Sequence, residues 1–469
     1  MSVELYFNNA SSFDDRGLEA LFSMEAIAQA FLDVERVVAQ AQGEIGLIPE
    51  ESANVICENC RFELIDQDRL RAGHETTRHP LMPLINELVR LSGPIHGGYV
   101  HWGITTQNVI QTGLMRQAQQ AQQIIETFLR DILHHLGRLA TEHSSTPMAG
   151  RTHFRHAVPI TLGYKIAVWI EELLQAIDRL REAGQRSFAA MSGGAVGCFS
   201  ALGEVGPTFQ ARVAVLLGMG EMAVPSRAIR TQISEWVNAL ALAASVCHRI
   251  AEEVYQSSSE EYGEIFEQRS AGAIGSSTMP QKINPYFCYG IIENANRLYA
   301  HAGLMLAQAH RPFESDGSTN LLYENGVCAA VEMISKVLVR TEAMTCNLQV
   351  DAVRMRENLK LSKGAIYSEF AMMELGRAIG KHRGHEMVHD IAVKAADGGV
   401  PFLDALSGLP GGEELREEIL SRIEKGEVGG LCSEYAQHYG ALASTLDLDA
   451  LPDTDQRSAA AVLKEGTVQ

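Results

Sequence analysis

The spacing of apolar residues in the middle of the chain constrains its fold more than any other feature of the sequence. Apolar side chains recur there every three or four residues over five long stretches: 111–143, 162–189, 229–258, 286–308 and 324–346. This period predicts α-helices, and at 1.5 Å per residue the first stretch would form a rod on the order of 45 Å long. Five long helices in succession predict an all-α fold centred on a helical bundle.

The segments on either side of the bundle follow a different pattern. An amphipathic helix predicted over 22–46 is followed by a region rich in Gly and Pro, whereas the end of the chain holds shorter helices and a polar tail. With about 150 residues per domain as a prior, a chain of 469 residues suggests roughly three domains. We expect an N-terminal helical domain at 1–110, the long-helix bundle at 111–360 and a C-terminal helical domain at 361–469. Helices this long need neighbours on more than one side, so we also expect the bundle to assemble with other copies.

The charge of the chain limits the classes of partner it can bind. Lys and Arg number 39 against 58 Asp and Glu, which gives a formal net charge of −19. Nucleic-acid binding depends on cations that neutralise phosphates, so this balance argues against it. A small anionic substrate remains compatible, because one pocket can be positive on an acidic protein.

Targeting signals and cysteine usage both favour the cytoplasm. The N-terminus has neither a basic region nor an apolar core typical of a secretory signal, and the most apolar helical stretch, 237–247, is too short to span a bilayer. The eight cysteines are scattered through apolar sequence, as reduced thiols are. Cys57 and Cys60 form a single C-x-x-C without a second pair at zinc spacing, so buried thiols are favoured over a zinc site. We expect no metal and no cofactor.

Three polar segments interrupt the helical pattern at the ends of predicted long helices. They are 100–108 (VHWGITTQN), 150–157 (GRTHFRHA) and 272–285 (GAIGSSTMPQKINP). In one antiparallel bundle the first and third segments could not both meet the second without a long reach. They could meet if neighbouring subunits supplied different helix ends.

The third segment carries the clearest chemistry. Its Gly and Ser residues offer backbone N–H donors, and Lys282 and Asn284 follow close to a predicted helix start. An ammonium, an amide and a helix N-terminus together favour a carboxylate or phosphate, and a nearby hydroxyl favours proton abstraction or nucleophilic attack. The alternative is an ordinary Gly/Ser surface loop, which composition alone favours.

The motifs decide between these interpretations. Residues 275–285 (GSSTMPQKINP) resemble the signature loop of the fumarase/aspartase superfamily, G-S-S-x-M-P-x-K-x-N. The segments 101–108 and 150–157 resemble its first and second conserved regions, as they occur in the adenylosuccinate lyase and 3-carboxy-cis,cis-muconate cycloisomerase branch. The resemblance covers nearly the whole chain, in order. It implies an all-α subunit of three domains, whose five-helix bundles pack into a twenty-helix homotetramer core with active sites shared between subunits.

The resemblance also implies a mechanism. Members typically carry out anti β-elimination on a succinyl group and usually release fumarate. Ser276 matches the base, which is plausible only as an alkoxide stabilised by loop N–H groups and the lysine. Lys282 and Asn284 match the residues that hold the carboxylate as it gains negative charge in the aci-carboxylate intermediate. His153 matches the general acid that protonates the leaving group, and His156 competes for that role.

Further residues match positions that bind the substrate or support the loop. Thr105, Thr106 and Gln232 correspond to positions that hydrogen-bond a substrate carboxylate. His101 corresponds to a histidine that orients the substrate or the loop. The full set expected to bind or support is His79, His101, Thr105, Thr106, Gln232, Ser277, Met279 and Asn284.

Departures from the family pattern keep two activities open. Many members carry a Glu that pairs with the catalytic histidine, but here that position is Tyr289. Thr106 and Asn108 depart from both branches. The sequence His-Trp-Gly at 101–103, His156-Ala157 and the missing Glu lean towards the cycloisomerases.

We therefore expect an enzyme with its own small di- or tricarboxylate substrate. The leading hypothesis is a lyase that cleaves the C–N bond of an N-substituted aspartate. The second is a cycloisomerase that lactonises a carboxymuconate. A non-catalytic structural relative is a remote third.

Overall fold

The computed structural model of the chain describes residues 13–268, 278–279, 281–453, 455–458 and 460–462. Its regular structure is almost entirely helical, so the predicted all-α class is confirmed. None of the described helices is both long and apolar enough to cross a membrane.

Four helices precede the bundle. They are α1 (Met24–Glu44), α2 (Glu50–Asn59), α3 (Gln67–Thr77) and α4 (Met82–His96). The helix α1 lies within the predicted 22–46, and its apolar stripe includes the buried residues Leu32, Val34, Val38 and Ala41. The Ser23 hydroxyl accepts the N–H of Ala26 at 3.2 Å and caps its start.

The five predicted long helices are all present. They are α5 (Thr106–Glu142), α6 (Leu162–Ser187), α8 (Thr231–Ser257), α9 (Tyr286–Ala307) and α10 (Gly317–Cys346), with α7 (Gly206–Leu217) between α6 and α8. The first and fifth begin several residues before their apolar pattern does. Their first turns are polar, TQN in α5 and GSTN in α10, so hydrophobic periodicity alone does not reveal them.

The last part of the chain forms shorter helices, as the sequence predicts. They are α11 (Ala352–Lys360), α12 (Ser368–Ile379), α13 (Lys381–Gly398), α14 (Phe402–Leu406), α15 (Gly412–Lys425) and α16 (Cys432–Ser444). A hydrophobic cluster that includes Leu359, Val388, Phe402 and Ile419 holds α11 and α13–α15 together.

Among the described residues, six short strands form three small sheets. The hairpin of β1 (Pro147–Thr152) and β2 (Arg155–Thr161) is antiparallel, with an irregular register between Ala149 and Arg151. A parallel pair joins β3 (Ala189–Ala190) to β4 (Gly220–Glu221), and an antiparallel pair joins β5 (Ile265–Phe266) to β6 (Gln349–Val350).

Contacts divide the chain into two compact units. Unit 1 combines the residues up to Phe128 with Gln175–Cys247 and Gly290–Val339. Its interior includes Trp236, whose ring meets Phe188 edge to face at 5.6 Å. Unit 2 combines Leu129–Leu174 with His248–Tyr289 and the residues from Arg340 onward, and it buries Trp169. The three-domain division and the homotetramer stay predictions.

Candidate active site

In unit 1, His79 is fixed by the turn that begins α4. Its Nδ1 accepts the backbone N–H groups of Leu81 and Met82, both at 3.1 Å, and its Nε2 lies 3.5 Å from the hydroxyl of Thr106. Two accepted N–H bonds require an unprotonated Nδ1, so the neutral ring carries its proton on Nε2. Burial lowers the pKa of His79, and the nearby His101 lowers it further. Of the expected substrate-binding residues, the structure thus brings His79 and Thr106 together.

A buried carboxylate holds the second histidine of this unit. The Nδ1 of His101 lies 2.6 Å from Oε1 of Glu35, a residue of α1 with only 2% of its surface exposed. The backbone of His101 has a φ of +60°, in the left-handed region that non-glycine residues seldom adopt. The Glu35 contact therefore orients this imidazole at a strained position, which is common at functional sites.

Asn108 joins the start of α5 to the glycine segment at 192–197. Its Oδ1 accepts the N–H of Thr105 at 3.0 Å and the N–H of Gly194 at 3.1 Å. The amide at 108 therefore makes both bonds through oxygen, as a carboxylate would, but without the negative charge. Asn108 therefore adds no negative charge to the helix N-terminus at Thr105 and Thr106, and a helix N-terminus favours an incoming carboxylate.

Gln232 lies in the first turn of α8. Its Nε2 donates to the carbonyl of Ile229 at 3.3 Å, and its backbone carbonyl accepts the hydroxyl of Ser187 at 2.6 Å. These contacts fix the residue locally. Gln232 belongs to unit 1, as do His79, His101, Thr105 and Thr106.

Beside α8 the structure shows a cationic cluster that was not expected from the sequence. Arg230 is 1% exposed, donates to Oδ1 of Asn320 at 2.9 Å and stacks 4.3 Å above the ring of Tyr323. Arg311 donates to the carbonyl of Arg227 at 2.8 Å.

Burial lowers the pKa of all three of these arginines, that of Arg230 to about 10, and raises the pKa of the neighbouring Glu324. Nε of each arginine is a buried donor without an acceptor among the described residues. Three guanidinium groups near two carboxylates, Glu324 and Asp316, leave this cluster with an excess of positive charge, although the whole chain is acidic.

In unit 2, His153 lies at the tip of the β1–β2 hairpin. His153 and Phe154 form its two-residue turn and have φ values of +52° and +59°. Such turns normally carry Asn-Gly or Gly-Gly, because both central residues need a positive φ. His153, the predicted general acid, is therefore exposed on a strained turn.

His156 occupies a more enclosed position than His153. It lies on β2 directly opposite Arg151, and its pKa is lowered first by burial and then by that arginine's charge. A lowered pKa keeps His156 neutral near pH 7, which suits it less to donating a proton.

A buried ion pair anchors the hairpin. Arg151 donates two bonds to the carboxylate of Glu264, at 2.7 and 2.8 Å, and Asn358 donates a third at 2.7 Å. Glu264 is fully buried, and the Arg151 guanidinium also lies 4.9 Å from the centre of the Tyr262 ring. Bidentate geometry of this kind fixes direction as well as distance.

A cavity of about 280 Å³ opens beside the hairpin. His153, Arg151, Lys165, Glu253 and Tyr262 are among the residues that line it. Lys165 and Glu253 pair across it at 2.5 Å. A charged and aromatic lining of this size suits a small polar ligand.

Lys282 and Asn284 lie immediately before α9, as predicted. Both are exposed, and the N–H of Lys282 donates to the carbonyl of Met279 at 3.0 Å. Met279 is likewise partly exposed. Ser276 and Ser277 lie outside the described residues. Tyr289, at the position of the missing Glu, packs edge to face on Tyr286 at 5.5 Å.

The described residues hold no cluster of three or more His, Cys, Asp or Glu placed to bind a metal ion. Cys60 is buried, and burial raises the pKa of Cys57 and of Cys60. Both thiols therefore stay protonated near pH 7.

Sequence reasoning missed Glu35, the arginine cluster and the Lys165–Glu253 pair. Only Glu35 left a usable signal, since it is an acid among the buried apolar residues of α1. The partners of the other residues come from distant segments, which hydrophobic periodicity does not connect.

Comparisons with known proteins identify the family of the chain. A lyase family model matches residues 12–298. An N-acetyl-S-(2-succino)cysteine lyase of Enterococcus italicus is 30% identical over 90% of this chain and 93% of its own length. A 3-carboxy-cis,cis-muconate cycloisomerase of Pseudomonas putida is 31% identical over 82% of this chain and 92% of its own. The crystal structure of a fumarate lyase from Mesorhizobium sp. BNC1 superposes with a TM-score of 0.83 at 29% identity, covering 92% of this chain and 98% of that one. The chain therefore belongs to this lyase family and has the fold of the fumarase/aspartase superfamily.

Proposed function

We propose that the chain catalyses anti β-elimination from a succinyl-type substrate and releases fumarate. The observation that carries this proposal is the position of Lys282 and Asn284, in the signature motif and directly before the N-terminus of α9. An ammonium, an amide and a helix N-terminus supply the positive potential that an aci-carboxylate needs.

The proposed reaction divides between a base and an acid. Ser276, as an alkoxide, removes a proton from the carbon next to a carboxylate, and the electron pair enters that carboxylate, held by Lys282 and Asn284. The pair then forms the double bond as the C–N bond on the opposite face breaks. His153 gives its proton to the departing nitrogen, so the products are fumarate and an amine. We assign the acid role to His153, because His156 is kept neutral by burial and by Arg151.

The electrostatics of unit 1 support an anionic substrate. The N-terminus of α5 at Thr106 favours a carboxylate, and the three arginines beside α8 carry Nε donors that lack an acceptor among the described residues. We therefore expect a di- or tricarboxylate, bound in active sites shared between the subunits of a homotetramer. This assignment needs neither a cofactor nor a metal ion.

The leaving group is the least constrained part of the proposal. An N-substituted aspartate is our first candidate. The Enterococcus relative is named for a substrate whose succinyl group is on sulfur, so S-succinyl thiols belong in the same test.

The decisive experiment offers the purified protein a panel of N-succinyl amines, aspartate and S-succinyl thiols. Fumarate release is followed by the ultraviolet absorbance of its conjugated double bond. We expect release from at least one class. No release from any member of the panel would overturn the proposal.

The base is tested with two adjacent serines. Ser276→Ala should abolish turnover and leave the oligomer unchanged by light scattering, whereas the matched control Ser277→Ala should retain measurable turnover. Full activity in Ser276→Ala would remove this serine from the mechanism.

A second candidate is lactonisation of a carboxymuconate. Its specific support is Tyr289 in place of the usual Glu, together with the similarity to the Pseudomonas cycloisomerase. Loss of the muconate chromophore without fumarate formation would favour this activity, and an unchanged spectrum would exclude it.

A further inference from the structure

The first turn of α9 is capped by a carboxylate from far upstream in the chain. Glu267 accepts the N–H of Phe287 at 2.9 Å and the N–H of Cys288 at 2.5 Å. The first N–H groups of a helix lack partners within it, and the helix dipole favours an anion at that end. Pro285, which precedes α9, has no side-chain acceptor, so Glu267 supplies a cap that the adjacent residue cannot.

Glu267 is itself held on a fixed piece of backbone. The two residues before it, Ile265 and Phe266, form β5, which pairs with β6, and Ile265 is fully buried. One residue earlier, Glu264 is bound by Arg151 and Asn358. Glu267 therefore directly follows a paired and partly buried strand.

The site also partly buries Glu267. Burial raises the pKa of Glu267, while the hydrogen bonds from the start of α9 lower it. A buried carboxylate without partners would be costly, so the capping bonds are what makes this position tolerable for Glu267.

We propose that Glu267 is a positioning residue for Lys282 and Asn284. Both residues lie within four positions of Tyr286, so the direction of their backbone follows from where α9 begins. Without its cap the first turn of α9 would fray, and the two donors would lose their fixed place before the helix. Placement errors of about 1 Å in such groups are enough to slow catalysis substantially.

The positioning claim can be tested without any substrate. Hydrogen–deuterium exchange of the peptide covering 281–288 is compared between the wild type and Glu267→Ala. We expect at least tenfold faster exchange of the amides of Phe287 and Cys288 in the variant. Unchanged exchange in this peptide would overturn the proposal, whatever the enzyme turns out to catalyse.

A second measurement rests on the proposed function and uses the succinyl substrate found there. Glu267→Ala should lower kcat by at least tenfold and raise the inhibition constant of fumarate. The matched control is Asp66→Ala, because Asp66 caps a different helix, α3, with two backbone bonds at 3.0 and 3.1 Å. The control should lose similar thermal stability and keep its kcat.

A conservative variant controls for a general loss of folding. Glu267→Gln keeps one acceptor oxygen and the side-chain volume, so its kcat and its exchange rates should fall between those of the wild type and Glu267→Ala. Wild-type kcat in both Glu267 variants, or an equal loss of kcat in Asp66→Ala, would show that Glu267 has no positioning role.

Discussion

In unit 2, the ion pair between Arg151 and the buried Glu264 is the clearest stabilising contact of a single residue. Glu264 has no exposed surface, so removing the arginine leaves an uncompensated charge in the interior. Breaking a buried pair by removing one partner typically costs about 3–5 kcal/mol. We expect Arg151→Ala to lower the free energy of unfolding by that amount, measured by urea denaturation.

The matched control for this prediction is an exposed pair of the same type. Arg186 and Glu235 are 53% and 42% exposed, so water screens their attraction and Arg186→Ala should cost much less stability than Arg151→Ala. Equal losses for the two variants would contradict the importance of the buried pair.

A second prediction at this scale concerns the protonation of His79. Burial and then the nearby His101 lower the pKa of His79 in the folded state. A proton on Nδ1 would also break the bonds from Leu81 and Met82. Between the folded and unfolded pKa values the unfolded chain binds more protons, so this contribution to stability is present above pH 6.5 and is lost as the pH falls below it. His79→Asn should therefore make the melting temperature less sensitive to acidification.

That comparison is made by scanning calorimetry from neutral to mildly acidic pH. The other histidines are the same in both proteins, so the difference between the two pH profiles reports the contribution of His79. Parallel profiles for the wild type and His79→Asn would rule out the proposed contribution.

At the scale of elements, the turn of the β1–β2 hairpin is both exposed and strained in its backbone. Phe154 has a φ of +59° and 70% of its surface exposed, so its side chain gains little from burial at this position. Glycine adopts a positive φ without the steric penalty of a Cβ, which costs other residues about 1–2 kcal/mol. Phe154→Gly should therefore raise the thermal stability of the protein or leave it unchanged, and Phe154→Val should lower it.

Thermal denaturation followed by circular dichroism checks this pair of variants. Valine is the matched control because it is β-branched and tolerates a positive φ poorly. Destabilisation by glycine and not by valine would mean that Phe154 makes a contact worth more than the strain.

The helices and strands also show how much of the fold the sequence predicts. Apolar periodicity located all five long helices, because it reports directly which face of a helix is buried. It missed the hairpin at 147–161, whose turn residues His153 and Phe154 are not typical of hairpins. Motifs proposed Lys282 and His153 as site residues, a prediction that stays open, but they could not reveal Glu267 or Glu35, whose contacts depend on the folded chain.

At the scale of the whole molecule, the candidate residues are divided between the two units. His79, His101, Thr105, Thr106 and Gln232 belong to unit 1, whereas His153, Lys282 and Asn284 belong to unit 2. Exposed leucines on three of the long helices add a reason to expect assembly, among them Leu242, Leu304, Leu306 and Leu321. These leucines favour assembly with other copies, which the proposed shared active sites would require.

Subunit sharing leads to a prediction that uses two inactive variants. If a site takes His153 from one subunit and Lys282 from another, His153→Asn and Lys282→Ala should each be inactive alone. Mixed in equal amounts, dissociated and reassembled at random, they should regain about a quarter of the wild-type activity, because both native residues meet in one site in four.

The control for this experiment is a double variant carrying both substitutions, reassembled with wild-type protein. Shared sites again predict about a quarter of the activity, whereas sites built from one subunit predict about a half. No recovery in the first mixture together with a half in the second would place His153 and Lys282 of each active site on the same chain. Recovery near a quarter in both would show that the acid and the carboxylate-binding residue come from different copies, as the proposed tetramer requires.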